Sequence, residues 1–191
     1  APAAAEGGGA RPPARPGGGM SAAPDLAAPV AGFRGWRIIG ERLLSPYIPC
    51  RWEGRVMRAV CYDANRSLVG GRGWLDEPHA SPHPRCRCGI YAYHRPGVQT
   101  YYGEWLWAEG VIACWGRIEA HEAGLRAEHG RIEALALPPR NDPERRAAVR
   151  SVARRLGIPL VGRDELPAVA EAVGGTLPPA LLPGGEQRGE R

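Results

Sequence analysis

The sequence predicts an α+β protein, with a mainly antiparallel β core of five or six strands and a C-terminal helix–strand–helix extension. Three observations predict it. Two long segments flank Ala123-Gly124, and the later half of each alternates charged with apolar residues, as a hairpin with one wet face does. After Pro138-Pro139 the apolar spacing turns helical. Between the second and third strand candidates lies a Pro-rich loop bearing Cys and His, which suits a metal staple better than a long free loop.

Residues 1–32 are mostly Ala, Gly and Pro, and 177–191 end in a polar, Gly-rich run. Neither stretch has the apolar surface to offset its ordering entropy, so both are expected to be disordered tails. Met20 lies in the first and is an alternative start to Ala1. The expected division is a β-rich zinc-binding domain over 33–139 and a helical extension over 140–176 that packs on it.

The first strand runs through Trp36, Ile38, Ile39, Leu43 and Leu44 to a turn at Ser45-Pro46. Arg55–Cys61 reads as the second strand, 62–85 as loop, and Cys88–Tyr93 as the third strand. The hairpin arms, Val111–His121 and Leu125–Leu135, each contain one glycine, Gly116 and Gly130, which suggest bulges or bends. Asp142 is an N-cap for a helix with Pro143 at its first position, and Gly157 ends it. Ala148, Val149, Val152 and Leu156 form its apolar stripe. Ile158–Val161 is a short apolar run, and Asp164 caps a second helix through Val173.

The net charge is +5, all 25 cationic residues are arginine, and no apolar run is long enough to span a bilayer. GC-rich codon usage is the plainest cause of the missing lysine. Residues 1–32 hold no apolar run of the kind a signal peptide needs, so they are not expected to act as one, and the five cysteines are an odd number. A cytoplasmic, reducing location is expected, with the cysteines in metal binding or plain burial.

Cys86 and Cys88 are the first two ligands of a structural Zn²⁺ site, because Gly89 allows a turn that presents both sulfurs. His79 is the third and Cys61 the fourth; His83 competes with His79, and Cys50 with Cys61. Catalytic zinc patterns fail. No His-x-Glu occurs, and Leu125 stands where His121-Glu122 would need a second His. The chain also lacks Gly-x-Ser-x-Gly, a phosphate loop and a dinucleotide fingerprint. His121 and Glu122 read as a solvated turn, and Cys114 as core.

Tyr101, Tyr102, Trp105 and Trp107, with Tyr91, Tyr93 and Trp115, are either a stacking platform or core, and core is favoured. Arg145, Arg146, Arg150 and Arg154, with Arg140 and Arg155, make a basic helix face that suits an acidic protein partner, nucleic acid or plain solvation.

Cys86–Ala92, with Cys61, His79–Pro82, Trp115–Arg117 and Gly124–Glu128, resembles a family of small uncharacterised bacterial proteins, most frequent in high-GC actinobacteria, with a Cys-x-Cys-Gly-Ile-Tyr-Ala motif. The resemblance spans about Trp36 to Val161 and implies the same metal ligands and a bacterial cytoplasm, but no activity. The expected function is a non-enzymatic binding or regulatory module with a structural zinc. The alternatives are a hydrolase-type enzyme with an open zinc site and a nucleic-acid binder using the Arg-rich helix.

Overall fold

The computed structural model describes residues 29–46, 48, 50–61, 79–98 and 106–183. They form eight strands: β1 Val30–Ile39, β2 Arg42–Leu44, β3 Arg51–Trp52, β4 Val56–Arg58, β5 Ile90–Tyr93, β6 Trp107–His121, β7 Gly124–Ala136 and β8 Leu160–Val161. Two helices follow the pattern the sequence predicts, α1 Pro143–Leu156 and α2 Leu166–Val173, on either side of β8.

The β6–β7 hairpin is the spine of the sheet and pairs from Gly110↔Leu135 to His121↔Gly124. Its register shifts between Trp115 and Ile118, where Gly116 has φ +78°, so the expected bulge falls on Gly116. Gly130 lies in register opposite Cys114, and the second shift falls instead beside Ile112. There a small residue serves packing: a Cβ on Gly130 would come within 2.7 Å of the Ile112 side chain.

β1 pairs with β6 along one edge, from Val30↔Cys114 to Arg37↔Trp107. The outer edge of β7 takes β5, then β4, then the parallel strand β8. One pair, Phe33↔Tyr93, joins β5 to β1 and closes the circuit β1–β6–β7–β5. The closure brings backbones very near each other: a Cβ on Gly124 would lie 2.1 Å from the Ala92 carbonyl oxygen, so only glycine fits.

Four expectations from sequence change. The first strand is two, because Gly40 takes φ +58° and turns β1 back on β2 through Arg37↔Leu44 to Ile39↔Arg42. The first tail is shorter than 1–32: Val30 and Ala31 are buried in β1, where pairing with Cys114 and Ala113 offsets their ordering cost. The second tail is shorter too, since Leu177 is buried in the main core and a 3₁₀ turn covers Pro179–Leu181. The rest of both tails, and residues 62–78, lie outside the described residues. The described residues put seven strands ahead of β8 rather than five or six, because β2 and β3, of three and two residues, pair with longer or neighbouring strands in pieces too short for sequence periodicity to register.

The main core gathers Trp36, Trp52, Ile112, Leu125, Ile132 and Leu135 with Val149 and Val152 of α1. A second cluster joins Val111, Ala31 and Phe33 to Leu166 and Ala170 of α2. β6 is therefore covered on both faces over Val111–Cys114, where every residue is fully buried, and this accounts for the continuous apolar run there. Asp142 accepts a hydrogen bond from the Arg145 N–H at 3.1 Å, and Gly157 closes α1 in the left-handed region. Asp164 is not the cap of α2: it sits inside a 3₁₀ turn, Arg163–Glu165, where the Glu165 carboxylate accepts from the Gly162 N–H.

Candidate metal centre

Cys61 leaves β4 alongside β7, held by the Ala59 N–H donating to the Glu128 carbonyl at 2.6 Å. His79, Cys86 and Cys88 sit on the loop that enters β5. The four side chains converge, and all four donor atoms lie within 4.8 Å of one another. Cys61 Sγ is 3.7 Å from Cys86 Sγ, and Cys88 Sγ is 3.5 Å from His79 Nε2. A tetrahedral zinc with Zn–S of about 2.3 Å and Zn–N of about 2.0–2.1 Å has S···S edges of about 3.8 Å and S···N edges of about 3.5 Å. The two pairs match those edges. A disulfide would need about 2.0 Å, and all five cysteines are free thiols.

The three cysteines are buried and form a small cluster apart from the main core. Burial raises the Cys86 thiol to about 11, and its neighbours Cys61 and Cys88 add to the rise. For Cys88 burial also raises, but the Ser81, His79 and Cys86 side chains together hold it below its ordinary value. The Cys86 and Cys88 thiols, this close, resist ionising together. A divalent cation reverses that preference, because it binds thiolates. The donor set therefore fits a thiophilic metal.

The loop is held from outside by two arginines of the hairpin that sequence reading leaves unassigned. Arg126, on β7, is buried although it alternates with Leu125 and Ala127 as an outward residue should. It sits in register with Tyr91 on one side and Glu119 on the other. Its guanidinium donates to the carbonyls of both Cys86 and Cys88, the second at 3.1 Å, and pairs with Glu119 at 2.5 Å. Arg117 donates to the Pro82 carbonyl at 3.2 Å. These bonds orient the Cys-x-Cys turn whether or not the sulfurs are ligated. Gly89 completes the turn at φ +130°, with a virtual Cβ 3.0 Å from Arg126 Cβ. The only sequence signal for Arg126 is its charge in the hairpin; register across two strand pairs buries it.

The competitors fall outside the cluster. His83 Nδ1 accepts from the Arg85 N–H at 3.2 Å, and its ring packs on His79 at 4.8 Å. Cys50 is on the β2–β3 connection, where burial raises its thiol against the pull of Arg34. Cys114 is fully buried, its thiol pushed up to about 12 by burial, in keeping with a core role.

The Arg-rich helix is less of a surface than its sequence suggests. Arg145 lies 4.4 Å over the Trp107 ring, and Arg146 donates to the Pro138 carbonyl. Arg155 donates to the carbonyls of Glu41 and Glu53. Arg150 and Arg154 are exposed. The helix thus uses several of its cations to hold the chain around it.

The aromatics also divide. Tyr101, Tyr102 and Trp105 lie outside the described residues. Among the described residues, Trp36 and Trp52, meeting edge to face at 5.7 Å, are the fully buried tryptophans. Trp115 is half-buried and stacks on His129, and Tyr91 is exposed. Of the described members of that cluster, Tyr91 is turned outward by β5 and Trp115 is half-buried, so they are not the fully buried core the sequence favoured. His121 accepts from Arg126 Nε at 3.1 Å and is half-buried, so it is tied into the hairpin rather than left in a free turn.

A groove of about 590 Å³ runs beside the Cys-x-Cys turn, between Arg85–Arg87, Tyr91 and Tyr93 of β5, and the hairpin end. Comparison with protein-family models, with curated proteins and with solved structures gives no match.

Proposed function

We propose that this chain is a non-enzymatic binding module of the bacterial cytoplasm whose recognition loop is fixed by one structural zinc ion on Cys61, His79, Cys86 and Cys88. The observation that carries this reading is the convergence of four side-chain donors within 4.8 Å of one another, two pairs of them at the length of a tetrahedral edge. Four protein ligands close a zinc shell, whereas a catalytic zinc keeps a position for water. The donor set therefore supports a staple over a hydrolase. The zinc would hold the Cys61 arm to the Cys-x-Cys turn, and Arg126 would orient that turn from beneath. No helix among the described residues is long and apolar enough to cross a membrane.

Elemental mass spectrometry of the purified chain and of Cys88→Ser tests the reading. One zinc per chain, lost in the variant, is the expected result. Absence of metal from the wild-type chain purified with zinc present would overturn it.

A further inference from the structure

The groove beside the Cys-x-Cys turn has a ligand chemistry of its own. Its charged lining is Arg85, Arg87 and Arg126 against Glu119. Arg126 is buried and pairs with Glu119 at 2.5 Å, so this acid is neutralised within the wall. Arg85 and Arg87 are exposed at the rim, and the outward field is positive.

The same wall carries aromatic rings in a regular array. Tyr91 and Tyr93 are two apart on β5 and both line the groove. Residues two apart share a strand face, roughly 6.7 Å from each other. Tyr91 is 41% exposed, yet its hydroxyl donates to the Arg87 carbonyl at 2.9 Å. That bond fixes the ring, the Arg126 guanidinium lies over one of its faces at 5.9 Å from the centroid, and the opposite face is the one offered to a ligand. Arg85 and Arg87 follow the same two-residue spacing on the adjoining turn.

We propose that this groove binds single-stranded nucleic acid, with Tyr91 and Tyr93 stacking bases and Arg85 and Arg87 meeting phosphates. The inference rests on the zinc-stapled reading, because the stapled turn carries both arginines. An extended single strand presents one anion and one flat base per step, and sheets that present paired aromatics stack two or three bases in this way. A peptide adding as a new strand is disfavoured. One edge of β5 is taken by β7, and on the other the Tyr91 carbonyl already accepts from Arg34. The groove volume lies in the range of about 300–1,000 Å³ typical of ligand clefts.

The test uses the full chain with its metal content measured on the same samples, and a fluorescent oligothymidine of about twelve nucleotides, read by anisotropy. Binding by the wild type is expected, weakened about tenfold by Tyr91→Ala. The pair Arg85→Glu with Arg87→Glu should reduce the slope of log affinity against log salt by about 1.4. The pair Arg150→Glu with Arg154→Glu on α1 should leave affinity unchanged. Zinc-loaded chain that does not bind the oligonucleotide overturns the groove and spares the staple. So does binding lost only in the α1 pair, or displacement by polyglutamate at equal residue concentration, which would mark an acidic peptide site. Chain without zinc that still binds through Tyr91 keeps the groove and removes the staple.

Discussion

The hairpin core and the cysteine loop are held together by different physics. Around β6 and β7, Trp36, Ile112, Ile132, Leu135, Val149 and Val152 exclude water from a continuous cluster. Each such side chain contributes about 1.5–3 kcal/mol by burial, and none needs a particular partner atom. The loop from His79 to Cys88 meets Cys61 in a small buried cluster of three cysteines. Its order depends on directional contacts: four converging donors and the two hairpin arginines beneath them. A region held by burial tolerates the loss of any one contact in proportion to its size. A region held by a few directed bonds fails when one donor is removed.

Trp36→Ala should have the largest effect. The ring is 1% exposed and meets Trp52 edge-on, so its removal should cost about 3–5 kcal/mol in urea unfolding, with or without a chelator. A loss seen only with metal present would mean that the core leans on the staple. Chelation of the wild type should act on the other region alone. Amides of 79–88 should lose hydrogen-exchange protection while those of 111–114 keep it; protection lost in both would merge the two regions into one unit.

Cys114 gives the core a pH signature of its own. Its thiol is raised by burial from 9.0 to about 12. A raised pKa means that the unfolded chain releases its proton first, so this stability is full below pH 9 and falls as pH rises toward 12. The slope should be about 1.4 kcal/mol per pH unit in that window. Cys114→Ala should flatten it, and an unchanged slope in the variant would place the alkaline sensitivity elsewhere.

Arg126→Met should weaken zinc binding about 10–100-fold in a competition titration, since it takes the donor from the Cys86 and Cys88 carbonyls and removes the guanidinium partner of Glu119. An unchanged affinity would show that the four ligands hold the turn without help from β7. The smallest effect is expected at the edge of the core. Asp142→Ala removes the cap bond to the Arg145 N–H and should cost about 1 kcal/mol by thermal unfolding, independent of metal.

Local order was readable where one short stretch contains its own cause. The charged–apolar alternation around Ala123-Gly124 places the hairpin, and Asp142, Pro143 and Gly157 fix the ends of α1. The donor cluster was also readable, since Cys86, Cys88 and His79 lie within ten residues on a loop rich in proline. Only the fourth donor required a guess across the chain. Cys61 meets it because β4 pairs with β7 beside β5.

The sequence by itself determined the elements whose signals are local: the alternating hairpin, the capped helix, the glycine-ended turns and the donor-rich loop. Tertiary structure alone decided which arginines face inward. Arg126 and Arg117 alternate in the hairpin as if solvated, and register across neighbouring strands turns the first into the buried support of the Cys-x-Cys turn. Arg145 and Arg146 read as a surface until Trp107 and Pro138 fold against them. Periodicity records which residues share a face, whereas the fate of a charge depends on what another part of the chain brings to that face.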